Sequence, residues 1–295
     1  MNPVSLERLN AVDRNAFVAI LGEVIEHAPW VAEAVYPARP FANVNALYQA
    51  LIGAVQNADE TRKLALIKGH PELAGETMRA SLLTADSAAE QESAGLDRLS
   101  ATELATFKKF NDAYRSKFEI PFIICVRRHG KDSILRHFAR RLQSEPSSEL
   151  ATALEEIFRI AALRLDQRVI GPDRLNVHGC LSTHVLDTYH GRPGSGVAVA
   201  LFEILASGGT REIVRGVTNK DGRTEQPLIA GKPIPVATYE LHFSIGGYFA
   251  REQTVLAEPP FLSMVPVRFA VAEPESHYHV PLLITPWSYT TYRGS

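Results

Sequence analysis

The segment "HYHVPLLIT" sets His277 and His279 two residues apart. On a strand, residues two apart share a face and lie roughly 7 Å from each other. Both imidazoles therefore look out on the side opposite Tyr278, Val280, Leu282 and Ile284. Such a pair suits proton transfer near neutral pH, and it equally describes two solvated strand histidines. A metal site would need a third ligand of the histidine, cysteine or carboxylate type, and the local run offers none. Company favours chemistry. "LSTHVLD" sets His184 on another short strand, and "TNKDGR" ends a turn at Arg223, a planar donor suited to substrate oxygens. The chain then closes on Tyr292, Arg293, Gly294 and Ser295, a rich content for a chain end, which is ordinarily frayed and low in information.

A second set lies in the first half. "GHPELAG" places His70 before Pro71, as at a helix start where proline is tolerated, and "SAAEQESAGLDRLS" places Glu90 and Gln91 ahead of Gly95. Singly these describe a cap and a solvated helix face. Arg164, in "EIFRIAALRL", lies at the margin of an apolar stripe rather than on a polar face, and a guanidinium there wants an anionic partner.

Two kinds of element must position these residues. Up to about Arg168 the apolar period is helical: Phe17, Ile20, Leu21, Val24 and Ile25 read as one helix face, as do Val44, Leu47, Leu51 and Val55. Leu104, Phe107, Asn111 and Tyr114 follow the same period, and Leu150, Leu154, Ile157, Ala161 and Leu165 give the cleanest stripe. Beyond it the period is two. Tyr239, Leu241, Phe243 and Ile245 alternate with polar residues, and so do Val265, Val267, Phe269 and Val271. An all-α domain thus precedes an all-β sandwich or barrel, with the change at "VIGPDRLNVHG".

Composition sets limits. The 295 residues are 45% hydrophobic and 22% charged, as in a soluble globular protein, and the net charge of −2 offers no basic footprint for nucleic acid or membrane. No apolar run approaches the roughly 20 residues that cross a bilayer. The polar start excludes a secretory signal. Two cysteines, Cys125 and Cys180, in different halves point to a reduced, cytoplasmic setting.

The segments "LSTHVLDTYHGRPGSGVAVALFEI", "VTNKDGR" and "HYHVPLLITPWSYTTYRGS" resemble the transthyretin-related 5-hydroxyisourate hydrolases from about Val177 to Ser295. Gly194 and Ser195 after Pro193, and Thr290, depart from that pattern only as small residues for small. The resemblance implies an active site of His184, Arg223, His279 and the tail Tyr292, Arg293 and Ser295, in a tetramer with sites between dimers. Transthyretin, a carrier on the same sandwich, is the alternative that this fold alone leaves open.

"HAPWVAEAVY", "RPFANVNAL", "GHPELAG", "SAAEQESAGLDRL", "FNDAYRSKFEIPFIICVRRHGKDSIL" and "EIFRIAALRL" resemble the 2-oxo-4-hydroxy-4-carboxy-5-ureidoimidazoline (OHCU) decarboxylases over about residues 8 to 168. That match implies His70 as the catalytic histidine with Glu90 beside it raising its proton affinity. Pro71, Gln91 and Arg164 would hold substrate, and "PFIICV" would supply an apolar wall. Together the resemblances imply an all-α domain over residues 1–170, a linker over 171–176 and a transthyretin-like β-sandwich over 177–295. The implied activity is bifunctional, converting 5-hydroxyisourate through OHCU to (S)-allantoin. No metal or cofactor is expected, because the substrate carries its own electron sink. The expected partners are the small-molecule substrates and further copies of the chain, a homotetramer through the sandwich with decarboxylase-domain dimers.

Overall fold

The computed structural model describes residues 2–74 and 84–294. The chain divides into two compact units, residues 1–127 with 133–177, and residues 128–132 with 178–295. Residues 171–176, expected as a linker, cluster with the first unit. The Val44 amide donates to the Pro172 carbonyl at 3.0 Å, and Arg174 holds both carboxylate oxygens of Asp166 at 2.8 Å.

Helix starts in the first unit carry the short polar residues that satisfy free amides. The side chains of Asp13, Asn43 and Asp59 accept from Ala16, Ala46 and Arg62 at 2.8, 2.7 and 2.8 Å. Ser100 and Glu103 form a reciprocal capping box. The helix Pro146–Arg168 is the spine: Ala153, Ile157, Ala161 and Leu165, each four residues on, are fully buried. Phe17, Leu47, Leu51, Phe107, Tyr114 and Phe138 share its core, each large apolar side chain contributing roughly 1.5–3 kcal/mol. Strand β1 (Val4–Ser5) pairs in parallel with β2 (Val169–Ile170).

One stripe is shorter than its periodicity suggests. The helix Arg14–Leu21 stops at Gly22, so Val24 and Ile25 are buried in a turn segment instead. His27 then adopts a left-handed φ of 56°, and Pro29 opens the next helix.

The second unit is a two-sheet sandwich. Its strands are β3 (Gly179–Asp187), β4 (Arg192–Pro193), β5 (Ala198–Ile204), β6 (Thr210–Val217), β7 (Ile229–Lys232), β8 (Ala237–Ser244), β9 (Met264–Val271), β10 (His277–Ile284) and β11 (Tyr289–Thr291). One sheet runs β11-β10-β3-β4 with β7 also on β3, the other β6-β5-β8-β9. Alternation drives both inner faces together: Leu181, Val185, Tyr278, Val280, Leu282 and Ile284 meet Val199, Leu201, Leu241, Phe243, Val265 and Val267. Ile245, expected to extend β8, opens the helix Ile245–Arg251 instead. Ile245, Tyr248 and Phe249 recur at helical spacing there and are buried.

Candidate active sites

In the first unit, His70 follows the C-terminus of the helix Glu60–Lys68 rather than opening a helix as expected. It is 8% exposed, and its Nδ1 lies 3.2 Å from the Leu66 carbonyl oxygen. A carbonyl only accepts, so Nδ1 carries the hydrogen and Nε2 keeps a lone pair while the ring is neutral. The helix Ala85–Ser93, capped by Thr84, supplies Ser87, Glu90 and Gln91, and the spine helix supplies Arg164. These residues line one pocket with Glu26, Pro71, Leu73 and an apolar wall of Phe122, Ile123, Ile124, Val126 and Ile160.

Arg164 is 2% exposed and forked onto Glu90, its Nε donating at 2.9 Å and its Nη2 at 2.8 Å. Nη2 also donates to the Ser87 hydroxyl at 3.0 Å and to Glu26 at 3.3 Å. Glu26, 2% exposed, accepts from the Thr84 and Ser87 hydroxyls, each at 2.6 Å. Gln91 is turned to the backbone, accepting from the Ala74 amide at 3.2 Å and donating to the Glu72 carbonyl at 3.4 Å. Behind the wall, the Arg141 Nη1 donates to the Ile123 carbonyl at 2.6 Å, and Glu156 accepts from the Cys125 amide at 2.8 Å.

The charges follow from these contacts. Burial works to raise the Glu26 carboxyl, but Arg164, Ser87 and Thr84 override it and hold the group below the usual carboxylate range. Burial also pushes the His70 imidazole down to about 4, against the opposing pull of Glu26 and the Leu66 carbonyl, with Arg164 and His27 adding to the fall. His70 is therefore neutral at pH 7. This corrects the expectation that Glu90 raises the proton affinity of His70. Glu90 is committed to Arg164, Glu26 is the carboxylate that acts on the histidine, and burial outweighs it.

In the second unit the parallel pairing of β3 with β10 sets His279 opposite Ser182 and Pro281 opposite His184. Ser182 and His184 share the outer face of β3 with the outward histidines of β10. The Ser182 hydroxyl lies 3.0 Å from His279 Nδ1 and 3.1 Å from His277 Nε2. Arg223 is brought opposite His184 by a turn that only glycine allows. Gly222 has φ 74°, and a Cβ there would lie 2.3 Å from the Val185 carbonyl oxygen. The Asn219 side chain ties that turn, accepting from the Asp221 and Arg223 amides at 3.0 and 3.2 Å.

The tail closes over His279. The Gly294 amide donates to the His279 carbonyl at 2.8 Å, and a Cβ on Gly294 would lie 2.7 Å from the imidazole Cδ2. Arg293 lies over the Tyr278 ring at 4.7 Å, Tyr292 is exposed, and Ser295 falls outside the described residues. Burial first, then the Arg223 charge, holds both His184 and His279 below the ordinary histidine range. The Nε2 of His184 is buried and meets no hydrogen-bond partner among the described residues, which leaves it for a water or a substrate atom. No group of three or more metal-ligating side chains occurs among the described residues.

Sequence reading missed Glu26, Thr84, Ser87 and Ser182. Ser182 carried a signal, because "STH" puts it two residues from His184 on one strand face. Glu26 carried none, since a glutamate beside an apolar helical stripe reads as solvated.

Residues 10–166 match the family model described as OHCU decarboxylase, and residues 181–294 match that of the HIUase/Transthyretin family. The chain belongs to the OHCU decarboxylase family over its first half and to the HIUase/Transthyretin family over its second. It is 39% identical over 168 residues to the 2-oxo-4-hydroxy-4-carboxy-5-ureidoimidazoline decarboxylase of Haloferax volcanii, an alignment covering 57% of this chain and 98% of that protein. It is 50% identical over 119 residues to the 5-hydroxyisourate hydrolase of Deinococcus radiodurans, covering 40% of this chain and 98% of that protein. A crystal structure described as (S)-allantoin synthase spans both halves, at 32% identity and a TM-score of 0.53, covering 99% of this chain and 100% of that one.

Proposed function

We infer that this chain is a bifunctional enzyme that hydrolyses 5-hydroxyisourate to OHCU in its second unit and decarboxylates OHCU to (S)-allantoin in its first. The observation that carries the reading is the presence of two separate sites on one chain, His184/Arg223/His279 and His70/Glu90/Arg164, each with a histidine held neutral.

Ring opening requires water added to a carbonyl carbon and a proton supplied to the departing nitrogen. A neutral His184 or His279 accepts a proton from water and passes it on. Arg223 offers fixed donors to the oxyanion as it develops. The tail residues Tyr292 and Arg293 wall the substrate in.

OHCU carries a hydroxyl and a carboxylate on one ring carbon, beside an imine carbon that bears the ureido group. Loss of CO₂ sends the bond pair toward the imine, whose nitrogen takes a proton from solvent. The enol hydroxyl must then lose its proton while the neighbouring carbon gains one. A neutral His70 suits that exchange. Its Nε2 accepts from the hydroxyl and returns the proton to one face of the ring, which fixes handedness. Arg164 and Pro71 hold the ring, Glu90 fixes the guanidinium and Gln91 the backbone beside Pro71, and the carboxylate leaves toward the apolar wall.

The chain acts in the cytoplasm, a placement supported by its low cysteine content, one in each half, and among the described residues no helix is long and apolar enough to cross a membrane. It assembles as a tetramer through the second unit, with dimers of the first. Exposed Val255, Phe261 and Met264 in the second unit support such burial between copies.

Complementary variants test the two activities. His279→Ala should fail to consume 5-hydroxyisourate and still decarboxylate supplied OHCU. His70→Asn should do the reverse, its decarboxylation slowed by about 10²- to 10⁴-fold, the usual contribution of a general acid–base group. A folded variant that lost both activities would contradict two independent sites.

A further inference from the structure

We propose that Glu26 is a positioning residue for the decarboxylation, clamping Arg164 and Ser87 in one arrangement and setting the charge that His70 meets. The inference rests on the decarboxylase reading of the first unit.

A carboxylate at 2% exposure is an expensive group to bury, and this one is held from three sides. Thr84 donates to one oxygen at 2.6 Å, while Ser87 at 2.6 Å and Arg164 at 3.3 Å share the other. The backbone is bent to present it. His27, the next residue, sits at a left-handed φ of 56°, a conformation that a side chain with a Cβ disfavours. Such strain persists where the surroundings over-determine it, often at functional sites.

The consequence for Arg164 follows from counting donors. A guanidinium has five N–H groups. Those on Nε and Nη2 face Glu90, Ser87 and Glu26, and Nη1 reaches the Glu23 carbonyl only at 3.4 Å. Nη1 is thus the nitrogen with capacity left for a substrate oxygen, and Glu26 with Glu90 decides which way it faces. Two carboxylates against one guanidinium, with His70 neutral, also leave the cluster with one net negative charge. An anionic substrate then meets repulsion that loss of CO₂ relieves.

The groups that act on His70 are Glu26, Arg164 and His27, besides the Leu66 carbonyl, and Glu90 lines the same pocket. Replacing Glu26 by glutamine keeps the shape and removes the charge that most favours the imidazolium. An opposite charge at close range shifts a titration by about 1–3 units.

The test is steady-state kinetics of purified full-length Glu26→Gln on supplied OHCU across pH, with 5-hydroxyisourate hydrolysis on the same preparation as control. The expected result is a kcat about 10- to 100-fold lower, the scale of loss when a positioned group shifts by about an ångström. KM should change less than kcat, the acid limb of kcat/KM should move down by about one unit, and hydrolysis should be unchanged. Parent-like kcat and an unmoved acid limb would overturn the proposal. If the parent chain itself failed to decarboxylate OHCU, the functional reading would fall instead. Should Glu26→Gln not fold, Thr84→Val removes one of the three holds without altering charge. It should lower kcat several-fold with no shift of the limb, and a parent-like kcat would overturn the clamp.

Discussion

Replacing Arg164 by methionine should destabilise the first unit in a way that depends on pH, and the sign can be worked out in advance. Arg164 is the cation shared by Glu26 and Glu90, whose side chains are 1% and 11% exposed. Methionine fills much of the same space but leaves two carboxylates without a counter-charge. Breaking a buried pair from one side costs about 3–5 kcal/mol. For a unit of this size, 1 kcal/mol moves the midpoint by roughly 2–4 °C, so the first unit should melt about 6–20 °C earlier at pH 7. In the parent, the Glu26 carboxyl is depressed below its unfolded value, so its stabilisation is present above that value and lost as the pH falls through the folded one. In the variant, burial acts unopposed by Arg164 and raises the group. The penalty is then greatest at neutral pH and shrinks as acid protonates Glu26. Thermal unfolding followed by circular dichroism at 222 nm, at pH 7 and pH 5, measures the gap between parent and variant. The gap should narrow at pH 5. An equal gap at both pH values would refute the electrostatic account and leave only lost packing.

Three further outcomes follow from contacts in the two units. Gly294→Ala should cost hydrolase activity without unfolding the chain, because the added Cβ would lie 2.7 Å from the His279 ring; parent-rate hydrolysis by the variant would show that this contact does not matter. Hydrolysis should hold its rate as pH falls through 6.5 and decline only below, because His184 and His279 are both held under the ordinary range, and an acid limb above 6.5 would contradict neutral histidines as the working form. Arg141→Met should weaken decarboxylation and lower the melting midpoint together, since Arg141 holds both Glu149 and the Ile123 carbonyl behind the pocket wall; parent-like kinetics on OHCU would free that wall from its support.

The hydrolase site was the more legible of the two in the sequence. Alternation along a strand fixes which side chains share a face, so His277 and His279 opposite Tyr278 and Val280, and His184 opposite Val185, follow from residue order alone. The parallel register that brings Ser182 against His279 does not, because strand pairing is a long-range choice. In the helical unit the apolar stripes predicted the spine helix, where Ile157, Ala161 and Leu165 are buried and Arg164 with them. Periodicity failed where helices end. Val24 and Ile25 continue the pattern of Phe17 and Leu21 after the backbone has left the helix at Gly22, and that departure places Glu26 in the pocket. Pairing between charges was equally illegible. Glu90 lies on the same helix as Ser87, and nothing in its neighbours says that it would meet Arg164 and not His70.

The most direct measurement supplies freshly made 5-hydroxyisourate to the purified chain and follows circular dichroism of the products with time. Two working sites predict rapid loss of substrate and a lasting signal from optically pure (S)-allantoin, whose size is set by the amount of 5-hydroxyisourate added. His70→Asn should consume the substrate at the parent rate and then drift toward racemic allantoin as OHCU decays unaided. Racemic product from the parent chain, formed no faster than the unaided decay of OHCU, would contradict a decarboxylase in the first unit.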